Sequence, residues 1–256
     1  MAAAIEVKGV TNRFGSQTVH DSIDLTLEEN EILGLVGGSG SGKSVLLRTV
    51  LGLHRPQSGE VVIDGTDIVS LTSDQRLEIQ KKWGVLFQNG ALFSGLSVLD
   101  NVGLPLREHT GLSPEAIDNL VALKLKMVGL EDEALAKYPE KLSGGMVTRA
   151  AIARALALDP PILFLDEPTG ALDPASATGI DELMKSLRDI LGLSIFIITH
   201  DVATLATICD RIAMIVDKKV KVGTLKEMLD SEDDKVRAFF SGPRMAAIGP
   251  RARKGN

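Results

Sequence analysis

The sequence predicts an α/β protein built on a parallel, layered sheet. Apolar runs with the length of strands alternate with helix-length segments along most of the 256 residues, and this alternation is typical of parallel βαβ units. The runs at 162–165 and 195–198 are continuously apolar, as expected of strands covered on both faces. A glycine-rich segment, 37–44, joins a third apolar run directly to a helix.

The first 36 residues predict short strands with turns. Residues 5–10 and 23–27 alternate apolar and polar side chains, which favours half-buried strands. Between them, residues 12–15 predict a turn that carries the aromatic ring of Phe14. The apolar run 32–36 predicts a buried strand that leads into the glycine-rich segment.

The rest of the chain continues the alternation, apart from one long interruption. From 89 to about 142 the sequence predicts loops and helices without a strand, which we interpret as a helical insertion in a domain spanning 1–240. Residues 241–256 carry Gly, Pro and basic residues with almost no apolar pattern, which predicts a flexible basic tail. The other predicted elements are, in chain order, a helix to about 53, a strand at 61–63, a helix at 72–82, a strand at 84–87, a helix starting at 113–115, a helix at 146–158, a strand at 162–165, a helix to about 191, a strand at 194–198, a helix at 202–209 and a strand at 211–216.

Composition narrows the classes of function. The 44% of hydrophobic residues suffice for a core, and the net charge of -6 argues against nucleic acid as the main partner. The single cysteine, Cys209, excludes an internal disulfide and fits a reducing compartment; it is either a buried small hydrophobe or a nucleophile. We predict no signal peptide at the start of the chain and no apolar run of about 20 residues that would cross a bilayer.

The glycine-rich segment has the spacing G-x-x-x-x-G-K-S of a phosphate-binding loop. Glycines let the backbone curl so that N–H groups point at phosphate oxygens, and the helix start adds further donors. Lys43 is expected to reach the β- and γ-phosphates and Ser44 to ligate Mg²⁺. The predicted phosphate-binding residues are Gly37, Gly38, Ser39, Gly40, Ser41, Gly42, Lys43 and Ser44.

Two carboxylates follow the apolar run 162–165 and therefore lie at the carboxyl edge of a buried strand. That edge is where ligands bind in open α/β sheets. Asp166 is suited to hold the Mg²⁺ that Ser44 contacts, and Glu167 to orient or deprotonate a water that attacks the γ-phosphate.

Three further positions each allow two interpretations. His200 follows a buried strand and either hydrogen-bonds the γ-phosphate or starts a helix; Gln88 either ligates Mg²⁺ and water or is an ordinary turn residue. Ser143, Gly144 and Gly145 precede a helix and form either a plain cap or a second phosphate-binding helix start. A second such start predicts a dimer that shares nucleotides between chains.

Taken together, these motifs resemble the ATP-binding subunits of ABC transporters over about residues 5–230. The resemblance implies a P-loop NTPase of ABC ATPase type: a RecA-like mixed sheet core, an antiparallel β subdomain and an inserted helical subdomain. The matching segments are Walker A at 37–44, the Q-loop at 86–88, the signature at 142–146, Walker B at 162–166 with Glu167 in the catalytic position, the D-loop at 171–174 and the switch at 199–201.

The resemblance also implies function, cofactors and partners. We expect an ATPase that uses ATP and Mg²⁺ and forms a head-to-tail homodimer. Each ATP would be held between one copy's Walker A and the other copy's Ser143, Gly144 and Gly145. The ring of Phe14 would stack on adenine, while Glu167, His200 and Gln88 would act in catalysis.

Several segments are most similar to the ATPases of bacterial phospholipid-transport (Mla) systems: 86–93, 100–102, 105–110 and 142–146, where Met146 replaces the Gln of most family members. This similarity implies trafficking of phospholipid between inner and outer membranes, from the cytoplasmic face of the inner membrane. The implied partners are an integral permease (MlaE-like), a substrate-binding MlaD-like subunit and a small STAS-domain MlaB-like subunit. The alternatives are an ABC ATPase for another solute, and a nucleotide-gated module such as a translation factor or DNA-repair ATPase.

Overall fold

The computed structural model describes residues 2–240, which form two compact units. The first comprises 2–80 and 194–240, and the second is Lys81–Leu193. The predicted tail at 241–256 lies outside the described residues. No helix within the described range is both long and apolar enough to cross a membrane.

Strands and helices follow each other in the order that the sequence pattern predicts, with additions in the middle of the chain and after the last predicted strand. The strands are β1 (Ala3–Phe14), β2 (Gln17–Glu28), β3 (Ile32–Gly37), β4 (Ser58–Ile63), β5 (Thr66–Asp67), β6 (Trp83–Leu86), β7 (Ile162–Asp166), β8 (Ser194–Ile198), β9 (Arg211–Val216) and β10 (Lys219–Gly223). The α-helices are α1 (Lys43–Val50), α2 (Ser73–Ile79), α3 (Val98–His109), α4 (Pro114–Met127), α5 (Gly144–Ala155), α6 (Pro174–Leu191), α7 (Val202–Ile208), α8 (Leu225–Leu229) and α9 (Asp234–Phe240).

The first unit contains an antiparallel sheet in the order β2-β1-β4-β5. In β2 the buried side chains are His20, Ile23, Leu25 and Leu27. The change of phase after His20 coincides with Ser22, whose positive φ of 54° marks an irregularity in the strand. His20 is therefore buried through this irregularity, as the one histidine among the buried side chains of β2.

The same unit contains strands in the order β10-β9-β3-β8. β3 pairs in parallel with β8 and β9, and β10 returns antiparallel to β9. All six residues of β3 are buried, as expected of a central parallel strand covered on both faces. An apolar cluster that includes Val36, Leu205 and Phe240 packs against these strands, and Cys209, a partly exposed thiol outside any disulfide, packs against the cluster.

The second unit pairs β6 with β7 in parallel and packs helices around them. Gly84 in β6 lies directly against α5, because a Cβ at this position would come 2.0 Å from the carbonyl oxygen of Ala155. Between β6 and β7 the described residues contain only helices, 3-10 turns and loops. The helix starts are capped as predicted: Ser113 Oγ accepts from the Ala116 amide at 3.3 Å, and Pro114 occupies the first turn of α4.

The structure corrects several predicted boundaries. Residues 12–14 are not part of a turn, because β1 continues to Phe14, which pairs with Gln17 at the start of β2. Helix α1 ends at Val50 rather than near residue 53, and α5 spans Gly144–Ala155 rather than 146–158. β5, β10, α8 and α9 were not predicted from the sequence, and α3 was not predicted as a separate helix within 89–142. In β10 the side chains of Lys219 and Lys221 are exposed, so the apolar pattern is weak.

Candidate functional site

The phosphate-loop sequence folds as a strand, a loop and a helix start. β3 ends at Gly37, and α1 begins at Lys43 with Gly42 as its N-cap at φ 102°. Lys43 Nζ donates to the carbonyl oxygens of Gly37 at 2.9 Å and Gly38 at 3.3 Å. These bonds hold the ammonium group over the loop, with two of its three donors engaged. Ser44 follows with an exposed side chain on the first turn of α1.

A buried polar cluster lies directly behind this loop. His20 and Asn12 are wholly buried, and the Asn12 amide nitrogen lies 2.9 Å from His20 Nδ1. A Cβ at Gly42 would come 2.5 Å from His20 Nε2, so the imidazole touches the loop where only glycine fits. Burial, helped by the nearby His54, lowers the pKa of His20 to about 4, so this ring is neutral at physiological pH.

Phe14 ends β1 with its ring half exposed, at 49%. One face of the ring stacks on the imidazole of His54, with 4.9 Å between ring centroids and 19° between the planes. An exposed aromatic ring that is already supported on one face can present the other face to a planar base.

His200 lies at the same sheet edge as the phosphate loop. Leu35 of β3 pairs with Ile198 of β8, and the Thr199 amide donates to the carbonyl of Leu35 at 3.3 Å. Gly37 lies two residues beyond Leu35, and His200 lies two residues beyond Ile198. His200 is exposed, and the helix after it is capped by Asp201, whose side chain accepts from the Ala203 amide. The cap role that we considered for His200 therefore belongs to Asp201.

In the second unit, Asp166 ends β7 and Glu167 follows it. Both side chains are partly buried, whereas the four residues before them are fully buried. Glu167 has a positive φ of 53°, a conformation that is uncommon for a residue with a side chain and recurs at functional sites. The turn after the strand therefore sets the direction in which the Glu167 side chain leaves the backbone.

Gln88 lies level with these acids in the neighbouring strand. β6 pairs with β7 through Leu86 and Leu165, so Gln88 and Glu167 each stand two residues beyond the paired position. Gln88 is exposed, and the three residues after it all have positive φ: 58° at Asn89, 76° at Gly90 and 45° at Ala91. The chain therefore reverses sharply immediately after Gln88.

Ser143 caps helix α5, and its Oγ accepts from the Met146 amide at 3.3 Å. The start of this helix is exposed at Ser143 and Gly144. The D-loop helix starts beside it, since a Cβ on Gly145 would meet Ser176 Oγ at 3.6 Å. Asp173 accepts from the backbone and hydroxyl of Ser176, and these bonds lower the pKa of the Asp173 carboxyl.

A cleft of about 180 Å³ collects four of the predicted motifs of the second unit. It is bounded by the turn after β6, the start of α5, the acidic end of β7 and the D-loop. Its lining residues are Leu86, Asn89, Gly90, Gly144, Val147, Thr148, Glu167, Pro168, Ala171 and Leu172.

The buried residues that support these motifs were not predicted from the sequence. Asn12, His20 and Thr49 support the phosphate loop from behind, and Arg154 holds the turn after Gln88. A polar residue in the buried phase of a strand, as His20 is in β2, was the available signal. The partners of such a residue, however, come from distant parts of the chain.

Comparison with known proteins gives the family. A family model described as ABC transporter matches residues 20–170, which include the phosphate loop, the signature and the acidic strand end. This chain belongs to the ABC transporter family. The chain is an ATP-binding cassette of this family and an ATPase.

Two curated relatives cover nearly all of this ABC cassette. A protein of Mycobacterium leprae named as a probable ribonucleotide transport ATP-binding protein is 41% identical over 97% of this chain and 72% of its own length. The intermembrane phospholipid transport system ATP-binding protein MlaF of Haemophilus influenzae is also 41% identical, over 93% of this chain and 90% of its own.

A solved structure with the same fold is a dimeric ATP-binding cassette in a post-hydrolysis state, bound to ADP and Pi. It is 34% identical to this chain, with a TM-score of 0.78, and the match covers 86% of this chain and 98% of the other. The match confirms the predicted ABC ATPase fold, with its antiparallel and parallel sheets.

Proposed function

We propose that this ABC ATPase powers phospholipid trafficking between the inner and outer membranes of a bacterium. The observation that carries the proposal is the similarity to MlaF of Haemophilus influenzae, which extends over 93% of this chain and 90% of that protein. A match over nearly both full lengths relates whole subunits rather than an isolated nucleotide-binding motif. The chain would work at the cytoplasmic face of the inner membrane, bound to an integral permease of the MlaE type, with MlaD-like and MlaB-like subunits as further partners.

In this proposal, residues 37–44 hold the phosphates of ATP and Phe14 stacks on its adenine. Loop N–H groups and the start of α1 supply the donors for the phosphates. Lys43 would turn its ammonium from the loop carbonyls toward the β- and γ-phosphates. The Phe14 ring is exposed and already supported by His54 at 4.9 Å, which fits a stacking role.

The proposed magnesium ligands are oxygen donors, as Mg²⁺ prefers. Ser44 offers an exposed hydroxyl at the start of α1, Asp166 a carboxylate at a strand end, and Gln88 an exposed amide oxygen. Among residues 2–240 there is no group of three or more His, Cys, Asp or Glu side chains that could hold a metal. This fits an ion that is bound by few protein ligands together with substrate phosphates. When bound, Mg²⁺ would neutralise charge that develops on the phosphates.

Glu167 is the proposed general base for the water that attacks the γ-phosphate. A carboxylate in a fixed backbone conformation can accept the proton of that water without reorganising. His200 would donate a hydrogen bond to the γ-phosphate or hold the same water. Its place at the carboxyl edge, level with Gly37, supports this role.

We further propose that two copies act together. Ser143, Gly144 and Gly145 form an exposed helix start that would bind the γ-phosphate held by the other copy's phosphate loop. This arrangement is supported by the dimeric state of the structurally similar cassette that was solved with ADP and Pi.

The second candidate function is transport of another solute. It is favoured by the Mycobacterium leprae relative, whose name refers to ribonucleotide transport. The test is to purify the chain from membranes with its permease, identify the bound lipids and subunits, and reconstitute the complex in proteoliposomes. ATP-dependent movement of phospholipid supports the proposal; movement of ribonucleotides without phospholipid favours the alternative.

A further inference from the structure

A chain of hydrogen bonds runs from helix α1 to the ring of His20. Thr49 Oγ1 donates to the carbonyl oxygen of Val45 at 2.8 Å. Because its one proton is used there, Thr49 Oγ1 acts as acceptor toward the Asn12 amide nitrogen, 3.1 Å away. We therefore assign the nitrogen of the Asn12 amide to the side of Thr49, which leaves Asn12 Oδ1 buried without a partner among the described residues. The same nitrogen lies 2.9 Å from His20 Nδ1.

The tautomer of His20 follows from these contacts. Nδ1 accepts the hydrogen bond from Asn12, so the ring proton of the neutral imidazole is on Nε2. Nε2 is fully buried and has no hydrogen-bond partner within residues 2–240. Buried donors without an acceptor are rare in native proteins, and each requires an explanation.

This spare donor is directed at the phosphate loop. A Cβ on Gly42 would lie 2.5 Å from His20 Nε2, and the side chain of Val19 closes the same space at 2.6 Å. When a loop of this kind encloses an anion, its N–H groups turn toward the ligand and its carbonyl oxygens turn away from it. A donor behind the loop is placed to meet those carbonyl oxygens.

We propose that His20 is a positioning residue of the phosphate loop, and that its Nε2–H donates to the loop backbone around Gly42 when the loop closes on a triphosphate. The inference rests on the proposed role of residues 37–44 in holding ATP. His20 does not touch the nucleotide in this account. It stabilises the loop conformation that does, through an Nε2–H orientation fixed by Asn12 and Thr49.

Steady-state kinetics test the proposal. His20→Leu replaces the imidazole with an apolar side chain of similar size and removes the donor. We therefore expect the KM for ATP to rise about tenfold while kcat stays within about twofold, the effect of losing one buried hydrogen bond. His20→Gln keeps an N–H donor at the ε position and should restore most of the affinity. The matched control is Ile23→Val, on the same strand and equally buried. It should lower thermal stability and leave the KM unchanged.

The outcomes separate this inference from the proposed function. If Lys43→Ala binds ATP as well as the wild type, the role of the loop itself is refuted. If Lys43→Ala loses binding while the KM of His20→Leu equals that of the wild type or the Ile23→Val control, only the inference about His20 is refuted.

A second measurement uses the wild-type protein and does not depend on how the variants fold. Histidine-selective ¹⁵N NMR should show His20 protonated on Nε2, and a non-hydrolysable ATP analogue with Mg²⁺ should shift that signal and slow the exchange of its proton with water. An Nδ1-protonated ring, or an Nε2 signal that the analogue leaves unchanged, would overturn the inference.

Discussion

Arg154 on helix α5 donates from Nη2 to the carbonyl oxygen of Gly90 at 2.8 Å. Its Nη1 donates to the next carbonyl, that of Ala91, also at 2.8 Å. The planar guanidinium thus holds both carbonyls of a turn whose residues have positive φ. Burial lowers the pKa of the Arg154 guanidinium. The group nevertheless stays charged, because the ordinary pKa of arginine lies far above neutral pH. One side chain of the signature helix therefore fixes the turn that follows Gln88.

We predict that Arg154→Lys reduces ATP turnover by about fivefold to tenfold without changing nucleotide affinity, because an ammonium cannot hold both carbonyls in one plane. The measurement is kcat and KM of the chain with its permease. The control is Arg149→Lys on the same helix, whose guanidinium binds the carbonyls of Val128 and Gly179 instead. Arg149→Lys should lower the free energy of unfolding by a similar amount and keep the ATP turnover of the wild type. Equal turnover in the two variants would refute the prediction.

Glu167→Gln should bind ATP normally and lose turnover by about 10²- to 10⁴-fold, because an amide has the shape of the carboxylate and cannot accept the proton of the attacking water. The readouts are equilibrium nucleotide binding and phosphate release. Glu182→Gln, on the exposed surface of α6, is the control and should hydrolyse ATP at the wild-type rate. Wild-type phosphate release by Glu167→Gln would remove Glu167 from the base role.

Gly42→Ala should abolish ATP binding and lower the free energy of unfolding by at least about 1 kcal/mol. The new Cβ would be 2.5 Å from His20 Nε2, on a backbone with φ of 102°. Calorimetry measures the change in the free energy of unfolding, and a nucleotide-binding assay measures the loss of ATP binding. Gly111→Ala is the control, since its Cβ would meet no atom within 4 Å. Retained ATP binding in Gly42→Ala would contradict the loop geometry.

Stability should depend on pH through His20. Its pKa is about 4 in the folded chain and about 6.5 when unfolded, so the unfolded state binds the proton more readily. The free energy of unfolding contributed by His20 is therefore fully present above about pH 6.5. It falls as the pH drops toward 4, by up to about 3 kcal/mol. Urea unfolding of the wild type and His20→Gln at about pH 7.5 and 5 should show the smaller loss in the variant; equal losses would exclude this contribution.

The sequence predicted those parts of the site that are local in the chain. Residues 37–44 are recognisable because strand, loop and helix are consecutive, and Asp166 with Glu167 because carboxylates directly follow an apolar run. The turn predicted at Phe14 was wrong, because pairing with β2 extends β1 beyond its alternating segment. Pairing partners are a tertiary property that a single segment does not reveal.

The supporting residues could not be predicted for the same reason. Asn12 and Thr49 are 37 positions apart in sequence and meet only in the fold. Arg154 and Gly90 are 64 positions apart, and nothing in either segment indicates the other. Periodicity gives the buried phase of a strand, as at His20, but it does not give the hydrogen-bond partner.

In the proposed mechanism, ATP is hydrolysed only between two copies, with Ser143 of one opposite the phosphate loop of the other. The most direct measurement is the molar mass of Glu167→Gln in solution, by light scattering, with and without ATP and Mg²⁺, alone and combined with Ser143→Arg. We predict a monomer without nucleotide, a dimer with ATP, and no dimer once Ser143 is replaced. A chain that stays monomeric with ATP while the wild type hydrolyses it at full rate would refute hydrolysis at a site shared by two copies.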